Sequence, residues 1–342
     1  SIEQLDLSYF KTPNLYGMAG MFQGCKSLKS LDISNFNTSQ VGSMSYLFSG
    51  CSSLTSVDLT LFDTNYLRDT SYMFEGCSSI SYLDFSKFQT GLVYNMAFMF
   101  QNCASLKYLD LSIFDTRTVS SMNQMFQGCS SLTSLNISNF DTFLIYDSFN
   151  LFQGCSSLKS LDLSSFYTDN FNSMAYMFYN CSSLEFLNLS NFYTINVRSM
   201  QGMFQNCQKL TSIIINNFDT RNVDDMSYMF SGCESLQMLD LSNFYTLNTN
   251  LMQFMFHNCY SITSINLSSF MTNKVNDFSY MFYFCSSLKI LDLSNFSNDY
   301  CDQCGRIFEG CYNMTLYINP NCLMFMNNIP DYVYPIYTNS LY

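Results

Sequence analysis

The sequence predicts an α/β repeat solenoid of about 12–13 repeats of 26 residues, with a parallel sheet on one face and short helices on the other. Twelve cysteines follow one another at a constant interval of 26 residues, from Cys25 to Cys311, and a phenylalanine precedes each by three residues, from Phe22 to Phe308. Hydrophobic residues make up 48% of the chain, which is ample for a continuous core. A fixed period of this size is typical of a solenoid, because one repeat cannot bury its apolar side without its neighbours.

Each repeat opens with a predicted strand. In residues 27–52 the spacing of Leu28, Leu31 and Ile33 ends in a period of two. Such alternation places Leu31 and Ile33 on the inward face of a short strand and leaves the residue between them outside.

A short helix is predicted after each strand. Thr38 stands where a helix N-cap is expected. Val41, Met44 and Leu47 follow at intervals of three and form one apolar helical face. Gly or Asn precedes the cysteine in eleven of twelve repeats, with Phe284 as the exception, and both residue types tolerate a left-handed helix C-cap.

We predict that the repeat array covers residues 1–311 and that residues 312–342 form a C-terminal capping segment. Leu316 and Ile318 arrive one residue early for the strand pattern, and the repeat then gives way to a stretch rich in Pro and Tyr. A cap is expected there because the open end of a solenoid exposes its core.

The repeat pattern L-x-x-L-D-L-S-x-F-x-T-x-x-V-x-x-M-x-x-M-F-x-G-C-x-S resembles the 26-residue repeat of BspA-like leucine-rich repeat surface proteins. The resemblance extends from residue 1 to about residue 315. It departs from the general leucine-rich pattern by carrying Phe where Asn or Cys usually follows the strand. The resemblance implies a secreted or cell-surface protein that acts by interaction, and it implies no catalytic residues.

Composition argues against several function classes. The 14 Lys and Arg residues and the net charge of −12 disfavour binding to nucleic acid, which depends on basic side chains that neutralise phosphates. No apolar run is long enough to span a bilayer. The chain has one histidine and no glycine-rich phosphate loop. We therefore predict that the protein is not an enzyme and uses no cofactor.

The cysteine column is predicted to consist of buried thiols, since free Cys behaves as a small hydrophobe. Fifteen cysteines is an odd number, so at least one lacks an intrachain disulfide partner. Three cysteines, Cys301, Cys304 and Cys322, fall outside the column. Their spacing is compatible with a disulfide, with free thiols and with a zinc site.

An outward-facing column of carboxylates follows the strands. Two interpretations remain open: a solvated face whose carboxylates hold the neighbouring turns, or a calcium-binding face, since oxygen-rich columns suit hard cations. The calcium candidates in the first half of the chain are Asp6, Asp32, Asp58, Asp84 and Asp110.

Aromatic residues interrupt the polar outward columns. Beside Asp and Ser on a sheet, they favour a sugar or a protein partner, and a scatter of surface aromatics is the alternative. The candidates on the strand face are Tyr82, Tyr108 and Phe186. A second repeated Phe, which runs from Phe10 to Phe296, follows each strand, and the candidates directly after it are Tyr167, Tyr193 and Tyr245. A further aromatic column, which begins with Tyr46 and Tyr72, indicates a packed flank or a lateral interface.

Seven N-x-S/T sequons occur, about the number that chance supplies in a chain this rich in Asn and Ser. They are candidate glycosylation sites if the protein is secreted by a eukaryote. The sequons lie at Asn37, Asn136, Asn180, Asn188, Asn266, Asn295 and Asn313.

Two functions fit this sequence. The first is a secreted or surface-anchored protein that binds a protein or glycan ligand, as an adhesin or surface scaffold. The second is a structural subunit of an extracellular fibre, because the chain begins in repeat register without a cap and an open strand edge is a template for another chain. In the second case the partner is the protein itself, in head-to-tail or lateral contact. Trimming of a longer protein explains the uncapped start equally well.

Overall fold

The structure is a computed structural model that describes residues 2–297 and 300–338. It divides into two compact units, Ser1–Asn170 (unit 1) and Phe171–Tyr342 (unit 2). Each unit is a parallel solenoid in which successive 26-residue repeats form hydrogen-bonded turns, so the predicted repeat array and parallel sheet are confirmed.

Unit 1 contains short parallel strands that pair one repeat apart. The register is 26 residues, because Leu5 lies opposite Leu31 and Leu109 lies opposite Leu135. The strands are β1 (Gln4–Asp6), β2 (Ser30–Asp32), β3 (Tyr108–Asp110) and β4 (Ser134–Asn136).

Unit 2 continues the same pattern and adds two longer strands and one helix. Its strands are β5 (Phe186–Asn188), β6 (Ser212–Ile214), β7 (Met238–Asp240), β8 (Ser264–Asn266), β9 (Ile290–Leu293), β10 (Met314–Ile318) and β11 (Val333–Tyr337). Helix α1 (Leu323–Met326) lies between the last two strands.

The strands alternate as their sequence pattern predicts. In β3 the side chain of Leu109 is buried, while Tyr108 and Asp110 on either side of it are exposed. Leu111 and Phe114 continue the buried side of the same repeat. The outward strand positions therefore form a surface on which residues 26 apart in sequence become neighbours.

The predicted helices on the opposite side are wrong. After Val41 the chain makes a series of tight turns in which backbone N–H groups alternate between two kinds of partner. The N–H groups of Met44 and Phe48 bond to carbonyls one repeat further on, at Asp69 and Met73, and each N···O distance is 2.9 Å. The N–H groups of Leu47 and Ser49 bond three residues back within the same repeat, to the carbonyls of Met44 and Tyr46, each at 3.1 Å.

Left-handed backbone makes this alternation possible. Tyr46 has φ 56° and Gly50 has φ 73°, and both slots are left-handed in every repeat. The Gly or Asn before each cysteine is therefore left-handed as predicted, but it lies in a run of turns and does not cap a helix. The exception at this slot, Phe284, is also left-handed, with φ 56°.

The spacing of the repeats explains why turns replace helices. Neighbouring strands lie about 4.8 Å apart. An α-helix with its side chains is about 10–12 Å across, so one helix per repeat would require the repeats to spread apart on this flank. The run of turns fits the strand spacing, because its backbone hydrogen-bonds directly to the next repeat. Apolar residues at intervals of three suit both conformations.

The predicted N-cap threonines are correspondingly not helix caps. The Thr38 hydroxyl accepts a hydrogen bond from the backbone N–H of Asp63 at 2.8 Å and donates one to the carbonyl of the same residue at 3.0 Å. The threonine side chain therefore joins consecutive repeats as a backbone group would.

Stacked phenylalanine rings fill the core of each unit. In unit 1 the ring of Phe100 lies parallel to those of Phe74 and Phe126, with centroids 6.1 and 5.9 Å away. In unit 2 the ring of Phe230 makes the same contacts with Phe204 and Phe256 at 5.4 and 5.8 Å. Each fully buried Phe stabilises the fold by roughly 1.5–3 kcal/mol.

The segment after Cys311 extends the sheet of unit 2. Leu316 of β10 lies opposite Leu291 of β9, a register of 25 residues that agrees with the early arrival of the strand pattern. Strand β11 then pairs with β10. Phe325 of α1 packs edge-on against Phe278, with ring centroids 5.0 Å apart. The division of the chain at residue 311 into array and cap stays a prediction.

Candidate functional site

A groove lies on the strand face of unit 1. It has a volume of about 350 Å³, and its walls include Tyr82, Asp84, Tyr108, Asp110 and Ile113 (the strand-face groove). Tyr82 is 57% exposed and Tyr108 is 45% exposed. The residues at 82–84 occupy the repeat directly before β3, so the two tyrosines and the two aspartates are brought together by the 26-residue register.

The aspartates of the groove are fixed by the turn that follows each strand. Asp110 accepts a hydrogen bond from the backbone N–H of Ser112 at 2.9 Å, and Asp84 accepts one from Ser86 at 2.8 Å. These bonds lower the pKa of both carboxyl groups below the usual value, so both are ionised at neutral pH. The hydroxyl of Tyr108 lies 3.4 Å from Asp110, whose charge raises the pKa of that tyrosine.

The same turn explains the whole aspartate column. The carboxylates of Asp6, Asp32 and Asp58 each accept the backbone N–H of the residue two positions later, at 2.9–3.0 Å. Asn136 and Asn188 accept the equivalent bond at 3.3 and 3.0 Å, so either residue type serves at this position. Among residues 2–297 and 300–338, no group of three or more His, Cys, Asp or Glu side chains is arranged to hold a metal ion. The calcium interpretation of the five aspartates stays a prediction.

The strand face of unit 2 carries apolar side chains at the corresponding positions. Phe186 on β5 and Met238 on β7 are exposed. Ile214, at the end of β6, is also exposed and replaces the Asp or Asn of the other repeats. Of these three residues, only Phe186 was a site candidate from the sequence.

Tyr167, Tyr193 and Tyr245 are exposed, but they belong to a different surface. They lie after the strands, each directly behind the repeated Phe that follows a strand. None of them lines the strand-face groove. The backbone carbonyl of Tyr167 accepts a hydrogen bond from the hydroxyl of Thr142 at 2.6 Å, so this surface lies next to the column of buried threonines. Tyr245 lines a separate cavity within unit 2.

The second aromatic column is a packed flank on left-handed backbone. Tyr72 stacks on Tyr46 and on Phe98 with centroids 4.4 and 4.3 Å apart. In unit 2, Phe254 stacks in the same way between Tyr228 and Tyr280, at 4.7 Å from each. A residue with a side chain destabilises the fold by roughly 1–2 kcal/mol when its backbone is left-handed, and stacking of this kind offsets part of that cost.

The cysteine column is buried from Cys51 to Cys311, and thiols along it donate hydrogen bonds. The thiol of Cys129 bonds to the carbonyl of Phe100 at 3.1 Å, and Cys259 bonds to Phe230 in the same way. Burial raises the pKa of both thiols to about 12, so they stay protonated at neutral pH. Cys25, in the first cysteine-bearing repeat, is exposed.

The three cysteines outside the column separate into a pair and a single thiol. Cys301 and Cys304 are joined by a disulfide with an S–S distance of 2.11 Å. Cys322 is a buried thiol that donates to the carbonyl of Phe296 at 3.0 Å. In this arrangement the C-x2-C pair is not available as thiolate ligands for zinc.

The sequons differ in their surroundings. Asn295 donates its side-chain amide to the backbone carbonyls of Leu267 and Phe270 at 3.3 and 3.0 Å, which ties it to the preceding repeat. Exposed asparagines stand at Asn37, Asn188, Asn266 and Asn313, and half-buried ones at Asn136 and Asn180. Glycosylation at these positions stays a prediction.

Comparison with known proteins places the chain in a family. Residues 1–108, 71–186 and 173–296 match a family described as "Mycoplasma protein of unknown function, DUF285". The chain belongs to this family. Its DUF285 repeats account for most of the array, and the description of the family specifies no activity. No curated protein matches the chain.

Solved structures of leucine-rich repeat proteins are similar to this DUF285 protein, and one of them, with a TM-score of 0.53, shares its fold. A leucine-rich repeat protein from Bacteroides ovatus is 17% identical, with a TM-score of 0.53, over 99% of this chain and 84% of that one. The pneumococcal vaccine antigen PcpA is 13% identical, with a TM-score of 0.45, over 99% of this chain and 77% of that one. A leucine-rich cell surface protein from Faecalibacterium prausnitzii is 16% identical, with a TM-score of 0.32, over 74% and 79%. The resemblance to BspA-like leucine-rich repeat proteins is thus confirmed at the level of the fold, and no enzyme family is indicated.

Proposed function

We propose that this DUF285 protein is an extracellular or cell-surface interaction protein and that the strand-face groove of unit 1 binds a protein partner. The observation that carries the proposal is the pair of exposed tyrosines, Tyr82 and Tyr108, beside two fixed carboxylates. No helix in the described part of the chain is long and apolar enough to cross a bilayer.

The composition of the groove supports a protein ligand. Tyrosine is enriched among the residues that dominate binding energy, because it provides a large, rigid contact area and a polar end. Ile113 adds an exposed apolar contact next to the tyrosines. Such a mixture of aromatic, aliphatic and polar groups is typical of the central part of an interface.

Charge defines the partner further. Asp84 and Asp110 are ionised and each uses Oδ1 for its turn, while Oδ2 of Asp110 also lies 3.4 Å from the Tyr108 hydroxyl. The chain carries a net charge of −12, which steers basic partners towards it and repels acidic ones. We infer that the partner presents a basic or neutral surface to the groove, and that association with a basic surface weakens as the salt concentration rises.

Binding of the fluorescently labelled chain to intact cells, measured by flow cytometry, tests this function. The cells are those of the source organism and those on which it grows. The Tyr82→Ala/Tyr108→Ala variant is expected to lose about tenfold or more in apparent affinity, since two central aromatic contacts are removed. Tyr66→Ala/Tyr94→Ala is the matched control, because these two tyrosines of unit 1 are similarly exposed but lie outside the groove. Equal binding of the two double variants would overturn the assignment of the groove.

The fibre alternative rests on self-association and remains a separate prediction. It is tested by light scattering across a concentration series of the chain. Growth of the particles with concentration supports head-to-tail or lateral assembly, and a constant monomer mass rejects it for this chain.

A further inference from the structure

A second cavity lies within unit 2, on the flank that follows the strands. It has a volume of about 480 Å³ and is lined by Asn217, Asp219, Arg221, Asn243 and Tyr245, among others (the Tyr245 cavity). This volume falls within the range of small-molecule sites, roughly 300–1,000 Å³. The lining side chains are polar except for the rings of Tyr245 and Phe218, of which only Tyr245 is exposed.

The charged pair in the cavity is fixed and internally neutral. The guanidinium Nε of Arg221 donates to Asp219 Oδ1 at 3.0 Å, and Nη2 donates to Oδ2 at 2.5 Å. The backbone of Asp219 is held on both sides by Thr194, whose hydroxyl bonds to its N–H and its carbonyl at 2.8 and 2.9 Å. Arg221 thus presents its remaining N–H donors beside a carboxylate that neutralises its charge.

The asparagines supply acceptors. The amide nitrogen of Asn243 donates to the carbonyls of Ile215 and Phe218 at 3.1 and 3.0 Å, which uses both of its N–H groups. The nitrogen of Asn217 donates to the carbonyl of Ser190 at 2.5 Å. The amide oxygens of these two side chains can therefore accept hydrogen bonds from hydroxyl groups in the cavity.

Tyr245 provides the flat apolar surface. Its side chain is 47% exposed, and its backbone carbonyl is anchored by the hydroxyl of Thr220 at 3.3 Å. Donors from Arg221, acceptors from Asn243 and an aromatic face therefore surround one space. A pyranose ring matches this set, because it has an apolar C–H face that stacks on aromatic rings and adjacent hydroxyls that both donate and accept.

We propose that the Tyr245 cavity is a binding site for a neutral saccharide. The neutral Asp219–Arg221 pair favours no ionic ligand, and the net charge of −12 disfavours acidic sugars. This site is independent of the protein-binding groove proposed for unit 1, since all of its residues belong to unit 2.

Unit 1 contains a natural contrast to this site. Arg117 pairs with Asp115 in the same geometry, with Nε–Oδ1 and Nη2–Oδ2 distances of 2.9 and 2.6 Å. In that repeat the slot of Tyr245 is occupied by Asp141 and the slot of Asn217 by Ile113. The ion pair is present but the aromatic face is replaced by a second carboxylate, so we expect no saccharide site there.

Isothermal titration calorimetry of the full chain tests the proposal. The probes are neutral tetrasaccharides of glucose, mannose, galactose and N-acetylglucosamine, with tetragalacturonate as the acidic control. At least one neutral probe is expected to bind with a dissociation constant of about 1 mM or tighter. Tyr245→Ala should weaken that binding about tenfold or more, and Arg221→Lys should weaken it because the planar donor fork is lost. Arg117→Lys, the matched control, should leave it unchanged.

Three results of this experiment would overturn the proposal. No heat with any neutral tetrasaccharide, tighter binding of tetragalacturonate than of the neutral probes, or equal affinities of Tyr245→Ala and the unmodified chain would each overturn the proposal. Thermal unfolding of Tyr245→Ala checks that the fold persists, and the exposed position of the side chain predicts that it does. The cell-binding result for the Tyr82 and Tyr108 variant does not affect this test.

Discussion

The hydroxyl of Thr116 accepts a hydrogen bond from the backbone N–H of Asp141 at 2.7 Å and donates one to the carbonyl of the same residue at 2.9 Å. One buried side chain thereby satisfies two backbone groups of the next repeat. Thr90 makes the same two bonds to Asp115, at 2.8 and 3.0 Å. The same contact recurs along each unit. It joins consecutive repeats in the segment between the strand and the run of turns.

Replacement of this hydroxyl should destabilise the fold strongly. Thr116→Val keeps the shape but leaves the N–H and the carbonyl of Asp141 without partners, and we expect a loss of about 2–4 kcal/mol in the free energy of unfolding. Thr116→Ser keeps the hydroxyl and should cost about 1 kcal/mol or less, the value of one methyl group. Urea denaturation followed by circular dichroism measures both, and equal losses would show that the hydroxyl is not what matters.

The left-handed aromatic column predicts an unusual order of stabilities. Tyr72→Ala removes two ring stacks and keeps a side chain at φ 58°, so it should cost about 1–3 kcal/mol. Tyr72→Gly loses the same stacks but relieves the left-handed strain, and it should be more stable than the alanine variant by roughly 1 kcal/mol. Thermal unfolding of the two variants tests this order. An alanine variant as stable as the glycine variant would mean that the backbone strain is negligible.

The buried thiols predict a loss of stability at high pH. Burial raises the pKa of Cys51 to about 11 and that of Cys129 to about 12, whereas the pKa of an unfolded thiol is about 8.5. Because folding raises the pKa of these thiols, the stability that the protonated thiols contribute is fully present below the unfolded pKa. It is lost as the pH rises towards the folded-state pKa. The unfolding temperature should therefore fall between about pH 9 and pH 11.

A single variant isolates the thiol contribution. Cys129→Ala should reduce the slope of the unfolding free energy against pH by up to about 1.4 kcal/mol per pH unit above pH 9. Tyrosines also titrate in this range, but they do so equally in both proteins. Identical slopes would show that Cys129 does not remain protonated in the folded state.

Alkylation counts test the assignment of the cysteines. The structure has thirteen free cysteines and the Cys301–Cys304 disulfide. Iodoacetamide in denaturant without reductant should add thirteen groups, and the same treatment after reduction should modify all fifteen cysteines, as intact mass shows. A count of fifteen without reductant would favour free thiols at Cys301 and Cys304. Under native conditions the exposed Cys25 should react first.

Several features of the fold were predictable because they depend on one repeat at a time. The inward position of Leu109 between Tyr108 and Asp110 follows from a period of two. The left-handed conformation at Gly50 follows from a residue type that tolerates it. The strand, the register and the buried cysteine column were all accessible in this way.

The strand-face groove was predictable only in part. Tyr82 and Tyr108 were recognisable as aromatics in an outward column, and the 26-residue register made them neighbours. Tyr245 was named for the same reason, but Arg221 and Asn243 were missed, because Arg and Asn in an exposed turn are ordinary surface residues. Only their hydrogen bonds, to Asp219 and to the preceding repeat, identify them as parts of one cavity.

The amino-acid sequence by itself determined the repeat length, the strand face and the residues of the core, since each depends on periodicity and residue type. Only the tertiary structure decided that the segment after Thr38 is a run of turns. Apolar residues at intervals of three fit a helix and a run of turns equally. The choice depends on where the N–H groups of Met44 and Phe48 find partners, and those partners lie in the next repeat, 25 residues away. Stacking of the repeats, and not local preference, therefore sets the conformation of this flank.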